Sequence, residues 1–173
     1  MPIAIDATVG GAAANSYVLL ADAQTYMSGR LNSSAWDTAT TDQQNRALVS
    51  ASAELTNLSW VGRRATVTQA LAWPRWMAPN PDSPVGFLYL SDIIPDRVAN
   101  ATYELAFQFL VAGTTDIAAL DPNLAVVEKT VDVLTTRYQP YQKPQGLARF
   151  PSVMRYIRPL LASVAGSTPI LKG

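Results

Sequence analysis

The chain has 173 residues, close to the size of one domain, and 49% of them are hydrophobic, which is enough apolar material for a packed core. Its 13 basic and 13 acidic residues cancel and only 15% are charged, so association is favoured over mutual repulsion. Cysteine and histidine are both absent, which excludes disulfide frameworks, zinc-finger spacings, thiolate nucleophiles and Ser-His-Asp triads.

Residues 1–15, rich in Gly and Ala, read as a loose lead-in, followed by a short strand at Ser16-Tyr17-Val18. Leu20, Ala23, Met27 and Leu31 then recur at helical spacing. Thr41-Asp42-Gln43-Gln44 has the form of a capping box, and Leu48, Ala51, Leu55 and Leu58 form the apolar stripe of the helix it opens. Between Arg63 and Ile94 the prolines at 74, 79, 81 and 84 predict a long structured loop instead of a helix. Pro95 near the first position and Gly113 past the end bracket a third helix. Val98, Ala101, Leu105, Phe109 and Ala112 share one face of it, while Phe107, Leu110 and Val111 lie elsewhere, so this helix is expected at the centre of the core. From Leu124 to Tyr138 the Val/Thr-rich run predicts extended backbone. Residues 139–146 read as a linker, and a last helical segment starts at Pro151 or Ser152 and restarts at Pro159. The predicted class is mainly α: a small helical bundle with a long loop, a short extended β segment and a C-terminal arm. The domain division is 1–138 and 139–173.

Charge is laid out in blocks that the zero total conceals. Residues 1–62 carry −3, residues 63–75 carry +3, residues 76–136 carry −6 and residues 137–173 carry +6. A basic tail of this kind fits either an acidic partner or a fold-back onto the acidic middle block. Glu128 and Asp132 read as a solvated face, and no nucleophile or phosphate-loop arrangement is present, so the chain is expected not to be an enzyme and to need no cofactor or metal. Residues 1–20 have no basic residue ahead of their apolar stretch and nowhere do 18 apolar residues run together, so a soluble protein made in the cytoplasm is expected.

Three of the four tryptophans fall between Trp60 and Trp76, together with Arg63, Arg64 and Arg75. Indole and guanidinium together either stack bases along a single strand or anchor a folded loop over a helical core. Anchoring is the expected role of Trp60, Trp73 and Arg75, and Arg63 and Arg64 are the candidate DNA contacts. In the tail, Tyr138, Tyr141, Phe150 and Tyr156 alternate with Arg137, Lys143, Arg149, Arg155 and Arg158, a pattern that suits nucleic acid and protein-docking arms alike.

Asn15-Ser16-Tyr17-Val18, Leu20-Ala21-Asp22-Ala23, Trp60-Val61-Gly62-Arg63, Gln69-Ala70-Leu71-Ala72-Trp73-Pro74-Arg75 and Ile94-Pro95-Asp96-Arg97-Val98, with Ala101 and Glu104-Leu105-Ala106, occur in this order. Over roughly residues 15–138 this succession resembles the head-to-tail connector adaptors of tailed bacteriophages, a family with some members filed as DnaT-like single-stranded-DNA-binding proteins. The resemblance implies a helical bundle with an extended β segment and an arm. It also implies a non-enzymatic virion protein in the neck at the portal vertex, made in the host cytoplasm: a homo-oligomeric ring, twelvefold to match the portal. Such a ring links the portal to a tail, stopper or tail-terminator protein, with genome DNA in its lumen and no membrane partner. On that reading Arg149, Phe150, Arg155, Ile157, Arg158, Leu160, Ile170 and Leu171 are the portal-docking arm. The alternative is a single-stranded-DNA-binding module.

Overall fold

The computed structural model describes residues 3–115, 128–131, 134–137 and 146–162. It is mainly helical: α1 (Leu20–Ser28), α2 (Ser34–Asp37), α3 (Thr41–Thr56), α4 (Asp96–Ala112) and α5 (Pro151–Ile157). Between α3 and α4 lie two very short strands, β1 (Arg63–Arg64) and β2 (Arg75–Trp76), paired antiparallel. Between α4 and α5 lies a second antiparallel pair, β3 (Glu128–Val131) and β4 (Leu134–Arg137).

The α4 helix is central, with α3, α5, α2 and α1 all packing against it. Pro95, with a φ of −59°, pre-sets the first turn, and Gly113 ends the helix in the left-handed conformation at φ 68°. Val98, Ala101, Leu105 and Phe109 are buried on the expected face, and Tyr103, Ala106 and Phe107 are buried as well, so most of the circumference is covered. Ala112 and Val111 are exposed at the frayed end. Each fully buried Leu, Val or Phe contributes about 1.5–3 kcal/mol, and this helix supplies several of them.

Sequence pattern and structure differ at four places. The capping box is formed by Thr40 and Gln43, one residue earlier than expected: the Gln43 backbone N–H donates to Thr40 Oγ1 (3.3 Å), and the Thr40 N–H donates to Gln43 Oε1 (2.8 Å). Consecutive threonines hide the choice of cap, because either satisfies the composition rule. The first helix ends at Ser28, and Leu31 lies beyond it, 88% exposed. Residues 3–18 are pinned and not loose. Asn15 Nδ2 donates to the Ala4 carbonyl (2.9 Å), the Asp6 N–H donates to Asn15 Oδ1 (2.8 Å), and the Ile3 N–H donates to Asp42 Oδ1 (3.0 Å). Ser16-Tyr17-Val18 is a bend instead of a strand, because the Tyr17 N–H is taken by Ser52 Oγ (3.1 Å) on α3 and the Ser16 hydroxyl by the Val18 carbonyl (2.8 Å).

The described part of the 139–173 segment is also corrected. Val153, Ile157 and Leu160 are fully buried within this chain, α5 packs on α4, and the Val61 N–H donates to the Leu160 carbonyl (3.0 Å). Residues 146–162 therefore belong to the bundle, and Ile157 and Leu160 are core residues and not anchors for a docking partner. Burying their side chains against α4 gains more than holding them out in solvent for a partner. Phe150 packs against the same core. Ile170 and Leu171 lie outside the described residues.

Candidate nucleic-acid interface

The segment from Trp60 to Trp76 is a small hairpin whose inner half is locked and whose outer half is presented. Gln69, buried, acts as its internal strut: its Oε1 accepts from the Thr66 N–H (2.9 Å), and its Nε2 donates to the carbonyls of Leu71 (2.8 Å) and Pro74 (3.1 Å). Arg75 spends its guanidinium on backbone carbonyls, donating to Val61 (2.7 Å), Ala72 (3.1 Å), Trp60 (3.3 Å) and Gly62 (2.6 Å). Burial lowers its affinity for its proton, and the neighbouring Arg64 charge adds to that. Trp60 and Trp73 are buried and meet edge to face with centroids 5.6 Å apart, and the Trp60 indole N–H donates to the Leu55 carbonyl (2.8 Å). The Trp73–Pro74 peptide bond is cis. Gly62, at φ 73°, is obligatory: a Cβ there would stand 2.3 Å from the Trp76 carbonyl oxygen.

The outer half holds Arg63, Arg64 and Trp76, all exposed. Arg63 lies opposite Trp76 in the β1–β2 register, and Arg64 lies opposite Arg75. Directly opposed residues share a face, so Arg63 and Trp76 stand on one face of the hairpin. The Trp76 indole is 52% exposed, and its N–H donates to the Ala65 carbonyl (3.2 Å), which fixes the ring while leaving its plane open. The sequence from Thr56 to Pro81 contains no acidic residue, so nothing along this stretch of chain neutralises the two exposed guanidinium groups.

A second polar cluster lies inside the bundle. Glu104, buried on α4, accepts from the Tyr26 hydroxyl at Oε1 (2.8 Å) and from Arg30 at both oxygens (3.4 and 3.3 Å). Tyr156 of α5 reaches the Tyr26 hydroxyl (3.4 Å), and the Arg30 guanidinium stacks 3.8 Å over the Phe107 ring. Burial, with the Tyr156 and Glu104 hydrogen bonds behind it, raises the Tyr26 hydroxyl pKa well above the ordinary tyrosine value. The cluster ties α1 to α4 and α5. An open groove of about 440 Å³ lies where Ala35, Ala39, Phe107 and Leu110 come together, and it shares no residue with the hairpin. Among the described residues no group of His, Cys, Asp and Glu could hold a metal ion, and no helix is long and apolar enough to cross a membrane.

Of the residues singled out from sequence, Trp60, Trp73 and Arg75 come together at the base of the hairpin, and Arg63 and Arg64 at its exposed end. Arg155 and Arg158 are exposed on the last helical segment, and Arg155 Nη2 donates to the Tyr156 hydroxyl (2.9 Å). Arg149 is half-buried. The sequence reading missed the separation of Trp76 from the other two tryptophans of the segment. No periodicity in the segment marks it, since Trp76 sits on the exposed face through its pairing with Arg63 in the β1–β2 register.

The fold and this surface define a mainly α protein that presents an arginine–tryptophan hairpin. The chain belongs to the family described as "Putative DnaT-like ssDNA binding protein", whose model matches residues 1–172. No curated protein and no solved structure matches the chain.

Proposed function

We propose that this chain contacts single-stranded DNA through the exposed face of the β1–β2 hairpin and does so without catalysis. The observation that carries the reading is the register that sets Arg63 opposite a half-exposed, hydrogen-bonded Trp76, on a base rigidified by Arg75 and Gln69. An indole plane offers a stacking surface for any base, and guanidinium groups beside it attract the phosphate backbone. The description of the family supports the same class of ligand. The test is a titration of the full-length protein with oligo-dT at several salt concentrations. Affinity is expected to fall steeply with salt, and Arg63→Ala is expected to flatten the slope by about one phosphate contact. Binding that is unaffected by salt and by Arg63→Ala or Trp76→Ala overturns the reading.

A second reading, the head-to-tail adaptor, is favoured by one feature: the Gln69–Arg75 succession that resembles those proteins is the very part of the hairpin built into the core. On this reading the protein forms a portal-docked ring in the virion neck, of about twelve subunits, that closes by heterologous contacts. Its Arg63 and Arg64 then line a lumen that carries double-stranded genome DNA. Purified protein that assembles into closed rings and co-sediments with a portal, while showing no preference for single strands, selects this reading over the first.

A further inference from the structure

After α5 the chain returns to the base of the β1–β2 hairpin. Trp60 and Leu161 are bridged antiparallel, with the Val61 N–H donating to the Leu160 carbonyl (3.0 Å) and the Ala162 N–H to the Ser59 carbonyl (2.8 Å). From that bridge Arg63 lies three residues forward on one side and Arg158 three residues back on the other. In an antiparallel pair those two directions run to the same end, so both arginines lie off one end of one short ladder. The Leu161 N–H donates back to the Arg158 carbonyl (3.4 Å), closing a 3-10 turn over Arg158–Leu160 that keeps Arg158 within a turn of the bridge. Ile157 and Leu160 are buried in the core, and Arg158 between them is exposed, as Arg63 is.

We infer that Arg158 is a second phosphate contact for the strand that Arg63 and Trp76 hold, so that the ligand lies across two segments of the chain, the hairpin and the turn after α5. The inference rests on the single-stranded-DNA reading and extends its site. Charge supports it beyond proximity. Residues 55–81 and residues 146–162 hold three arginines each and no acidic residue. The ion pairs among the described residues are Arg30–Glu104, Arg46–Asp42 and Arg97–Asp82, so Arg63 and Arg158 have no carboxylate partner there. Arg97 reaches the Tyr156 carbonyl (3.5 Å) and so holds Asp82 towards this segment, but that carboxylate is already bound by Arg97 itself. Cations gathered without an intervening acid repel one another in the free protein, and a polyanion laid across them relieves that repulsion. Arg155, one turn earlier, is engaged otherwise: its guanidinium lies 4.6 Å over the Tyr156 ring, and its Nη2 donates to the Tyr156 hydroxyl (2.9 Å). Arg158 is therefore the arginine of this segment assigned to the strand.

The test is the salt dependence of oligo-dT binding by the full-length protein, read as the anisotropy of a labelled oligonucleotide. Arg158→Ala is expected to lower the slope of log affinity against log salt by about one, as Arg63→Ala does, and the double variant by about two. Arg158→Gln, which keeps a long polar side chain without the charge, gives the same loss, and Arg158→Lys restores the slope because its charge still displaces a counterion. Arg46→Ala, at a carboxylate-paired position on α3, leaves the slope unchanged. Circular dichroism and melting on every variant report the fold. An arginine that only steadies the end of α5 shifts the melting temperature and leaves the salt slope alone, and that result overturns the inference. So does an Arg158→Ala slope equal to that of the natural chain while Arg63→Ala flattens it, which leaves the hairpin reading standing. A natural chain whose binding ignores salt overturns both.

Discussion

Residues 60–75 and residues 76–93 belong to one proline-rich stretch, yet the first buries Trp60 and Trp73 while the second leaves Trp76, Phe87, Leu88 and Leu90 exposed. The difference lies in where the polar groups go. In the first part Gln69 and Arg75 satisfy backbone carbonyls, so Trp60 and Trp73 can be buried without leaving the loop backbone unpaired around them. In the second part the backbone satisfies itself across a narrow hairpin, and Phe87, Leu88 and Leu90 face solvent. One loop is thus held to the core by side-chain hydrogen bonds in one half and leaves apolar side chains exposed in the other.

The contrast is sharpened first by removing what the locked half rests on. Deleting residues 139–173 takes Val153, Ile157 and Leu160 out of the core and the Leu160 carbonyl away from Val61, so the truncated chain is expected to lose its cooperative melting transition in calorimetry. Trp73→Ala comes next, with an expected loss of about 3–5 kcal/mol in chemical denaturation. Arg75→Met removes four carbonyl partners and is expected to cost roughly 1–3 kcal/mol by the same measurement; Arg75→Lys does not rescue it, since one ammonium cannot reproduce the planar fork.

In the presented half the effects on stability are small. Trp76→Ala is expected to change stability by no more than about 0.5 kcal/mol, while weakening oligo-dT binding by about 1–3 kcal/mol in a fluorescence titration. The smallest effect concerns Asp82. The hydrogen bond from Arg97 holds its carboxyl below the ordinary aspartate value of 3.8. A depressed folded-state pKa stabilises the native protein above the unfolded value and loses that contribution as pH falls through the folded one. The melting-temperature gap between the natural chain and Asp82→Asn is therefore expected to be constant above pH 5 and to close as pH drops below 3.8.

Helices were the legible part of the sequence, because Leu48, Ala51 and Leu55, or Val98, Leu105 and Phe109, announce their buried face by spacing alone. The mainly α class followed from them. What spacing cannot convey is which of several tryptophans is buried. That depended on Gln69 and Arg75 finding carbonyls up to 5 and up to 15 residues away, and on the close approach at Gly62, contacts that have no period. The tail misled for a similar reason. Its prolines and arginines have the composition of an arm, but Val153, Ile157 and Leu160 are spaced to pack on α4, and burial outweighs composition. The Glu104 cluster was invisible because its partners Tyr26, Arg30 and Tyr156 come from two other parts of the chain.

The central claim is that one tryptophan is presented for stacking while three are sealed, and acrylamide quenching with and without oligo-dT tests it directly. Trp36, Trp60 and Trp73 are at most 5% exposed, against 52% for Trp76. The account predicts a single quenchable fraction of the tryptophan fluorescence that disappears in Trp76→Phe and is shielded when oligo-dT is added at low salt. Quenching spread over several tryptophans, or an accessible Trp76 that saturating oligo-dT leaves fully exposed to acrylamide, contradicts it.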